Sequence, residues 1–572
     1  MPRTSIAIVF AGSGGSGAMS AGAVLLRAAA HAGYYGLMTQ LFGAQVRGGE
    51  SAALVQVSTQ PIDSQPDRYD LFVALDWEKV EQFAAEIPLD EASVIIADPA
   101  AGAVPPGIAK SKGRVVALTM GDRNATKLER GLLGRRVNMF AAGLVGALIG
   151  LNEANLQAAA EAVFSDKGAD VIGANAKGTA AGIAAAASLT LNVRLDAPTA
   201  AARWLISGNQ AIAFGALRGG VRFVGCYPIT PATDLVEWLA PHLIKLGGRL
   251  VLGEDELASI NLALGASYGG TPAMTVTAGP GFSLMVESLG LAVAAESPLV
   301  LVDVMRAGPS TGIASKTEQS DINLALYGAH GDAPRVVMAP VSVADCITTA
   351  EYAVYVAESL QTPVIVLSDQ ALGQATTVID PSDKRPAPLK RRLNGAAASK
   401  PFKRYAIGGD PVTPMPLPGT PQHEWVAEGL SHNEAGLPAS GAGPHVAQIN
   451  KRAKKIARFD PGAYWGETWG TGDTVVLAIG STIGAAREAA RRLSAAGHQM
   501  RVVALRVIAP LPTEALSRAL AGARRIIVIE QNHSGQLYHY LVGQKAIPPN
   551  AESVARPGPL PFRPSEIASY VV

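Results

Sequence analysis

Cysteine is almost missing. The chain of 572 residues holds two, Cys226 and Cys346, far apart in sequence. That excludes iron–sulfur ligation by this chain alone, a zinc-ligand spacing and a disulfide framework. Charge is scarce as well. Charged residues make up 17% of the chain, and 48 basic side chains nearly cancel 47 acidic ones. No block is basic enough for nucleic acid. So little charge implies that much surface is covered by partner subunits or by other domains. Long hydrophobic runs are missing too. The apolar stretch Met139–Leu151 is short and broken by glycine, so no membrane span is expected. The apolar start Ile6–Ala11 runs straight into a glycine loop, which predicts no signal peptide and a soluble cytoplasmic protein.

What is present is apolar. Hydrophobic residues reach 48%, enough for large cores, and the length suggests roughly three to four domains. Ser5–Phe10 reads as a buried parallel strand. Gly12, Gly14, Gly15 and Gly17 follow, then an Ala-rich helix over Ala18–Ala32. Such a unit can set backbone N–H groups and a helix N-terminus against a phosphate. Equally, the glycines can serve only close helix–sheet packing. No acid follows about twenty residues on in a clear second strand, which disfavours a dinucleotide site. Arg47-Gly48-Gly49-Glu50 is a turn, or a loop for an anion or an interface. Further strands are expected at Leu54–Ser58, Leu71–Leu75, Ser93–Asp98 and Val115–Thr119, with packed helices over Ala158–Ala187. The alternation predicts open α/β sheets.

A second α/β region begins at Gly208-Asn209-Gln210. Pro228 and Pro231 stiffen the loop Tyr227-Pro228-Ile229-Thr230-Pro231. Glu254-Asp255-Glu256 then opens a helix to Tyr268, with apolar Leu257, Ile260, Leu264 and Ala266 near helical spacing. Acids in a first turn suit the positive end of the helix dipole. Ala273–Thr277 reads as a buried strand, ending in the turn Ala278-Gly279-Pro280-Gly281, where a ligand can approach bare backbone. On composition alone, an ordinary helix start with three solvated acids is the better account. Leu299–Val304 and Val364–Ser368 read as further strands. Residues 381–472 are dense in proline and poor in apolar period, and so form a connector with one helix near His445–Ile456. A third α/β unit runs from Thr474. The domains expected are 1–196, 197–380, the connector 381–472, and 473–572.

Five motifs in this order carry a resemblance: YPITP at Tyr227–Pro231, EDE at Glu254–Glu256, TAGPGFSLM at Thr277–Met285, RAGPSTG at Arg306–Gly312 and EQNHSGQ at Glu530–Gln536. The set resembles the alpha subunit of the 2-oxoacid:ferredoxin oxidoreductases. The SGGSG and RGGES segments near the start resemble the gamma domain of that family, fused ahead of the alpha part. The resemblance implies three open α/β domains. The central one would be like the pyrimidine-binding domain for thiamine diphosphate, and the last like a transketolase C-terminal domain. It implies that Glu256 is the acid that hydrogen-bonds the aminopyrimidine ring, favouring the imino form that removes the thiazolium proton. Tyr227, Pro228, Gly281 and Phe282 would lie about the cofactor. Thr230 and Arg306 match positions near the substrate carboxylate, which an Arg fork binds through parallel hydrogen bonds. A structural interdomain ion pair is the other reading of Arg306.

No acidic–glycine motif for the diphosphate and Mg2+ is present. By resemblance that motif and a [4Fe-4S] cluster belong to a separate beta subunit, with no metal in this chain. The expectation is half an active site, a partner beta subunit, ferredoxin as electron acceptor, coenzyme A as co-substrate and a dimer of alpha–beta heterodimers. The gamma–alpha fusion looks most like the 2-oxoglutarate enzymes, which form succinyl-CoA and CO2. Pyruvate or a branched or aromatic 2-oxo acid is the alternative. A nicotinamide dehydrogenase built on Gly12–Gly17 leaves the later motifs unexplained, and a non-catalytic scaffold requires Glu256 to be dispensable. Cys226, beside Tyr227, reads as a small buried hydrophobe.

Overall fold

The computed structural model describes residues 3–43, 49–120, 136–382, 385–393 and 402–572. The chain forms two compact units. One holds residues 1–207 with 374–383 and 563–566, and the other holds residues 208–373, 384–562 and 567–572.

The first unit carries an eight-stranded sheet. Its central strand β1 (Ser5–Ser13) lies between β3 (Glu50–Ser58) and β4 (Leu71–Ala74). Side chains alternate across a strand. Accordingly Ile6, Ile8 and Phe10 enter one core, with the helix Ala18–His31, while Ala7, Val9 and Ala11 enter another, with Phe72 and Trp77. Burial on both faces explains the unbroken apolar run. The pairing differs from the expectation of a parallel strand. β1 is parallel to β4 but antiparallel to β3, which is antiparallel to β2 (Tyr35–Phe42). An antiparallel pair needs no crossover helix between its strands, and the sequence reading placed no strand at β2. Arg47 and Gly48 lie outside the described residues.

The second unit carries two sheets. The larger has seven strands. Its parallel part is β12 (Val336–Met338), β13 (Pro363–Asp369), β11 (Leu299–Met305), β10 (Ala273–Thr277), β8 (Phe223–Cys226) and β9 (Arg249–Leu252), in that spatial order. These strands pair in parallel, so their carboxyl ends share one edge. From β8 the chain moves outward to β9, then returns to place β10 on the other side of β8. That reversal opens a crevice at the carboxyl edge between β8 and β10. The other sheet holds β16 (Thr474–Ala478), β17 (Arg501–Leu505) and β19 (Arg525–Glu530) among its five strands. One apolar core joins the two sheets, with Leu301 and Ile365 from one and Leu477 and Val503 from the other.

The connector is held by cations turned inward. Arg391 makes a two-pronged bond to Glu358, with both N–O distances 2.8 Å. Lys451 and Lys455, on the helix Ala442–Ala457, each lie 2.5 Å from a Glu296 oxygen. Arg404, fully buried, donates to the Glu296 carbonyl at 2.8 Å. Tyr405, Met415 and Trp425 add a small core against Tyr268. Docking by buried charge leaves little apolar periodicity in sequence. Among the described residues no helix is long and apolar enough to cross a membrane.

Candidate active site

Four loops meet at the carboxyl edge of the seven-stranded sheet, one from each of β8, β9, β10 and β11. They are four of the motifs picked out in the sequence.

The loop after β9 starts the helix Glu256–Tyr268. The three acids there have different places. Asp255 is the N-cap and accepts from the Ala258 N–H at 2.7 Å, satisfying a donor that the first helical turn leaves free. Glu254 is outside the helix. Glu256 is the first helical residue and is 6% exposed. Its carboxylate has no hydrogen-bond partner among the described residues. The buried face is Glu256, Ser259, Ile260, Ala263, Leu264 and Ser267. This is rotated from the face expected from hydrophobicity, because small serines pack inward while Leu257 and Leu262 remain exposed.

The loop after β10 enters the helix Gly279–Ala294, and Gly281 touches Glu256. A Cβ on Gly281 would sit 2.5 Å from Glu256 Oε1 and 2.7 Å from its Cγ, and would also strike Thr277. A glycine is therefore required for the carboxylate to occupy this place. Phe282 is fully buried among Met285, Leu289 and Ile260, and its N–H donates to the Ala278 carbonyl at 3.0 Å. Its ring backs the turn from the core side.

The loops after β8 and β11 are tied by Arg306. Its guanidinium donates to the Thr230 carbonyl at 2.6 Å and to the Thr311 carbonyl at 3.0 Å. Two of five donors are engaged, and the buried Nε has no partner. No carboxylate lies within ion-pair distance of Arg306 among the described residues, although Asp321 is close enough to act on it electrostatically. Burial pulls the Arg306 pKa down, and the Asp321 charge opposes this. Thr230 is exposed, and only its backbone is engaged. Tyr227 and Pro228 are exposed at the carboxyl end of β8. Asn209, buried, donates to the Pro231 carbonyl at 2.9 Å and anchors this loop. Cys226 is buried, and burial pushes its thiol up to about 11.

The structure thus brings Glu256 against Gly281, and Arg306 against Thr230. The EQNHSGQ segment does a different job. Gln319 donates to Asp369 at 3.1 Å and to the Ile479 carbonyl at 2.9 Å, and its backbone N–H donates to the Gln531 carbonyl at 2.7 Å. Glu530 accepts from the N–H groups of Leu537 and Tyr538 at 2.7 and 3.0 Å. Gln319 with Gln531 and Asn532 binds the two sheets of this unit together, while Glu530 holds its own loop. Three polar residues were given no site role in the sequence reading: Asn209, at the start of the second region, Asp303, and Asp321, the last residue of the KTEQSD stretch that is compatible with a 2-oxoglutarate enzyme. Asp303 left a signal, an acid inside the apolar strand LVLVDVM.

In the first unit, the Gly12–Gly17 loop already uses some of its N–H groups. Ser13 donates to Asp76 at 2.9 Å, and Gly14 to the Gly49 carbonyl at 2.6 Å. Among the described residues no group of three or more His, Cys, Asp or Glu side chains forms a metal cluster.

Three family models match in chain order. Residues 7–185 match pyruvate ferredoxin/flavodoxin oxidoreductase, residues 214–451 its thiamine diphosphate-binding domain, and residues 472–556 core domain II of pyruvate:ferredoxin oxidoreductase. The chain is 36% identical over 335 residues to the 2-oxoglutarate synthase subunit KorA of Archaeoglobus fulgidus, covering 58% of this chain and 89% of that subunit. It is 32% identical over 375 residues to the corresponding subunit of Methanothermobacter marburgensis, covering 64% and 98%. With the 2-oxoglutarate oxidoreductase subunit KorA of Mycobacterium tuberculosis it is 36% identical over 382 residues, 64% of this chain but 56% of that longer one. Among solved structures, the 2-oxoglutarate:ferredoxin oxidoreductase of Magnetococcus marinus, with 2-oxoglutarate, coenzyme A and succinyl-CoA bound, superposes with a TM-score of 0.88 at 33% identity. That match covers 100% of this chain and 99% of the other. A likeness that runs nearly end to end, over the motifs that build the crevice, makes this chain a member of the 2-oxoacid:ferredoxin oxidoreductase family.

Proposed function

We propose that this chain is the subunit of a 2-oxoglutarate:ferredoxin oxidoreductase that supplies the pyrimidine-side acid and the substrate-carboxylate contacts. One observation carries the reading. Glu256 is buried, free of protein hydrogen bonds, and held against a glycine that a Cβ would fill, at the crevice where the sheet order reverses. These residues fit the pyrimidine half of thiamine diphosphate, which needs one carboxylate partner beside bare backbone. When bound, that cofactor supplies the carbon nucleophile and electron sink for decarboxylation.

The chain's own residues have separable roles. Glu256 accepts a hydrogen bond from the aminopyrimidine ring and holds a proton there. Tyr227 and Pro228 wall the crevice and exclude water. Phe282 fixes the Gly279–Gly281 turn from behind. Arg306, with three donors still open, and Thr230, with its side chain exposed, orient the substrate carboxylate. The diphosphate, Mg2+ and [4Fe-4S] cluster are assigned to a beta subunit. That subunit would seat over the exposed Leu252, Leu257, Leu262 and Leu284 around this edge. Coenzyme A and ferredoxin complete the reaction to succinyl-CoA and CO2.

The choice of 2-oxoglutarate rests on what the relatives and the Magnetococcus marinus enzyme are named for. A complex reconstituted with the beta subunit and assayed on a panel of 2-oxo acids tests it. The highest kcat/KM is expected for 2-oxoglutarate. A preference for pyruvate overturns the substrate and leaves the reaction class standing, whereas no turnover with any 2-oxo acid overturns the class.

A further inference from the structure

Asp303 lies near the carboxyl end of β11, opposite Thr277 of β10. It is fully buried, and neither carboxyl oxygen meets an N–H or hydroxyl donor. An isolated buried carboxylate without partners is among the costliest arrangements in a protein. The group within hydrogen-bonding reach is a second carboxyl, Asp321. Asp321 stands at the N-cap of the short helix Ile322–Tyr327, yet its side chain caps nothing. Gln536 does that work, its Oε1 accepting from the Asn323 N–H at 2.8 Å. The Asp321 carboxyl is turned instead onto the backbone of Gly279, where a Cβ would lie 2.7 Å from Oδ2. That oxygen too is buried and without a donor.

Two carboxyls in contact, with Asp303 fully buried and neither in an ion pair, do not both ionise readily. The geometry points to one proton shared by Asp303 and Asp321, with Asp303 the donor, so that a single negative charge on Asp321 offsets part of the Arg306 charge that faces the substrate carboxylate. Asp321 is thereby a positioning residue that sets the net charge of the substrate site. The groups facing it are Asp303 from β11, Glu318 from its own loop and Arg306 from the loop after β11, with His533 acting on Glu318. Burial first, then the Glu318 charge, raise Asp321 to about 6, against the pull of Arg306 and the Asp303 hydrogen bond. Burial and the Asp321 charge push Asp303 far above the carboxylate range. Below about pH 6 the pair takes a second proton.

The shared proton is independent of the substrate reading, while its effect on KM rests on the function proposed above. Infrared difference spectra of the full chain near neutral pH, wild type minus Asp303→Asn, should show the stretch of a protonated carboxyl. In the reconstituted complex, KM for 2-oxoglutarate should fall about tenfold as the pH drops through about 6, because the opposing charge is removed. Asp321→Asn should show the low KM on both sides of that pH, a gain that a merely structural role would not give. Glu318→Gln should keep the fall in KM but move its midpoint to lower pH, because the Glu318 charge helps to raise Asp321. No protonated carboxyl near neutrality, or one that survives Asp303→Asn, overturns the shared proton. A wild-type KM that is flat with pH overturns the role in substrate binding. A complex without turnover on any 2-oxo acid condemns the function instead, and the infrared result still decides the pair.

Discussion

Gly281 and Glu256 occupy each other's space: a methyl group on the glycine would lie 2.5 Å from the glutamate's Oε1. The glycine is there because the carboxylate is. Gly281→Ala should therefore displace Glu256 and cost about 1–3 kcal/mol, the usual range for overpacking a tight site. Removing the crowded partner should restore part of that. In a double-mutant cycle, Glu256→Ala with Gly281→Ala should be less destabilised than the sum by about 0.5 kcal/mol or more. Strict additivity would assign the crowding to Thr277 alone.

Glu256→Gln keeps the shape and removes the acid. In the complex with the beta subunit it should slow proton exchange at the thiazolium carbon by about a hundredfold or more, the scale of a positioned acid–base group. Cofactor affinity should largely persist if, as proposed, the diphosphate is held by the beta subunit. Asp255→Asn keeps a capping oxygen and should be mild, whereas Asp255→Ala should cost about 0.5–2 kcal/mol of stability. Quenched-flow deuterium exchange followed by NMR reads the first effect and thermal unfolding the second. Near wild-type exchange in Glu256→Gln means that another acid does the work.

The parts legible in sequence were those with a local cause. β1 and β11 announced themselves by unbroken apolar runs, and the crevice loops by glycine and proline at strand ends. Which acid of Glu254, Asp255 and Glu256 faces inward was not legible from composition. Helix phase decides it, and the serines on the buried face hide that phase. Asp321 was hidden for another reason. Its neighbours across the sheet, Asp303 and Gly279, are distant in sequence, and the residue that replaces it as a cap, Gln536, comes from the far end of the chain. The inward cations of the connector were invisible in the same way, since a lysine at helical spacing ordinarily marks a solvated face.

Arg306 bridges the Thr230 and Thr311 carbonyls while keeping donors open. Arg306→Ala should raise KM for the 2-oxo acid by about ten- to a hundredfold or more, from loss of roughly 1.5–3 kcal/mol in charged hydrogen bonds. Arg306→Lys should rescue little, because an ammonium on a single stem does not reproduce the planar fork. Cofactor affinity should change little in both. An unchanged KM with weakened assembly would confine Arg306 to tying the two loops.

Glu296 anchors the connector helix, and its pH behaviour follows from its surroundings. Burial alone would push its carboxyl up. Lys455, Lys451 and Arg404 outweigh burial and hold it down at about 2. Lys451 moves down as well, to about 8, because burial dominates and it shares one counter-charge with two other cations. The folded pKa of Glu296 lies below its ordinary value of 4.5. Its contribution is therefore present above that pH and is lost as pH falls toward about 2. Lys451 acts in the opposite range: its folded form sheds a proton early, so stability rises as pH climbs from about 8 to 10.5. Glu296→Gln leaves buried cations uncompensated and should cost about 3–5 kcal/mol. Amide hydrogen exchange over the helix Ala442–Ala457 should speed up accordingly, and the acid dependence of that exchange between about pH 4.5 and 2 should flatten. Exchange in this helix unmoved by Glu296→Gln would mean that the aromatic core of Tyr405, Met415 and Trp425, rather than the buried charge, holds the connector in place.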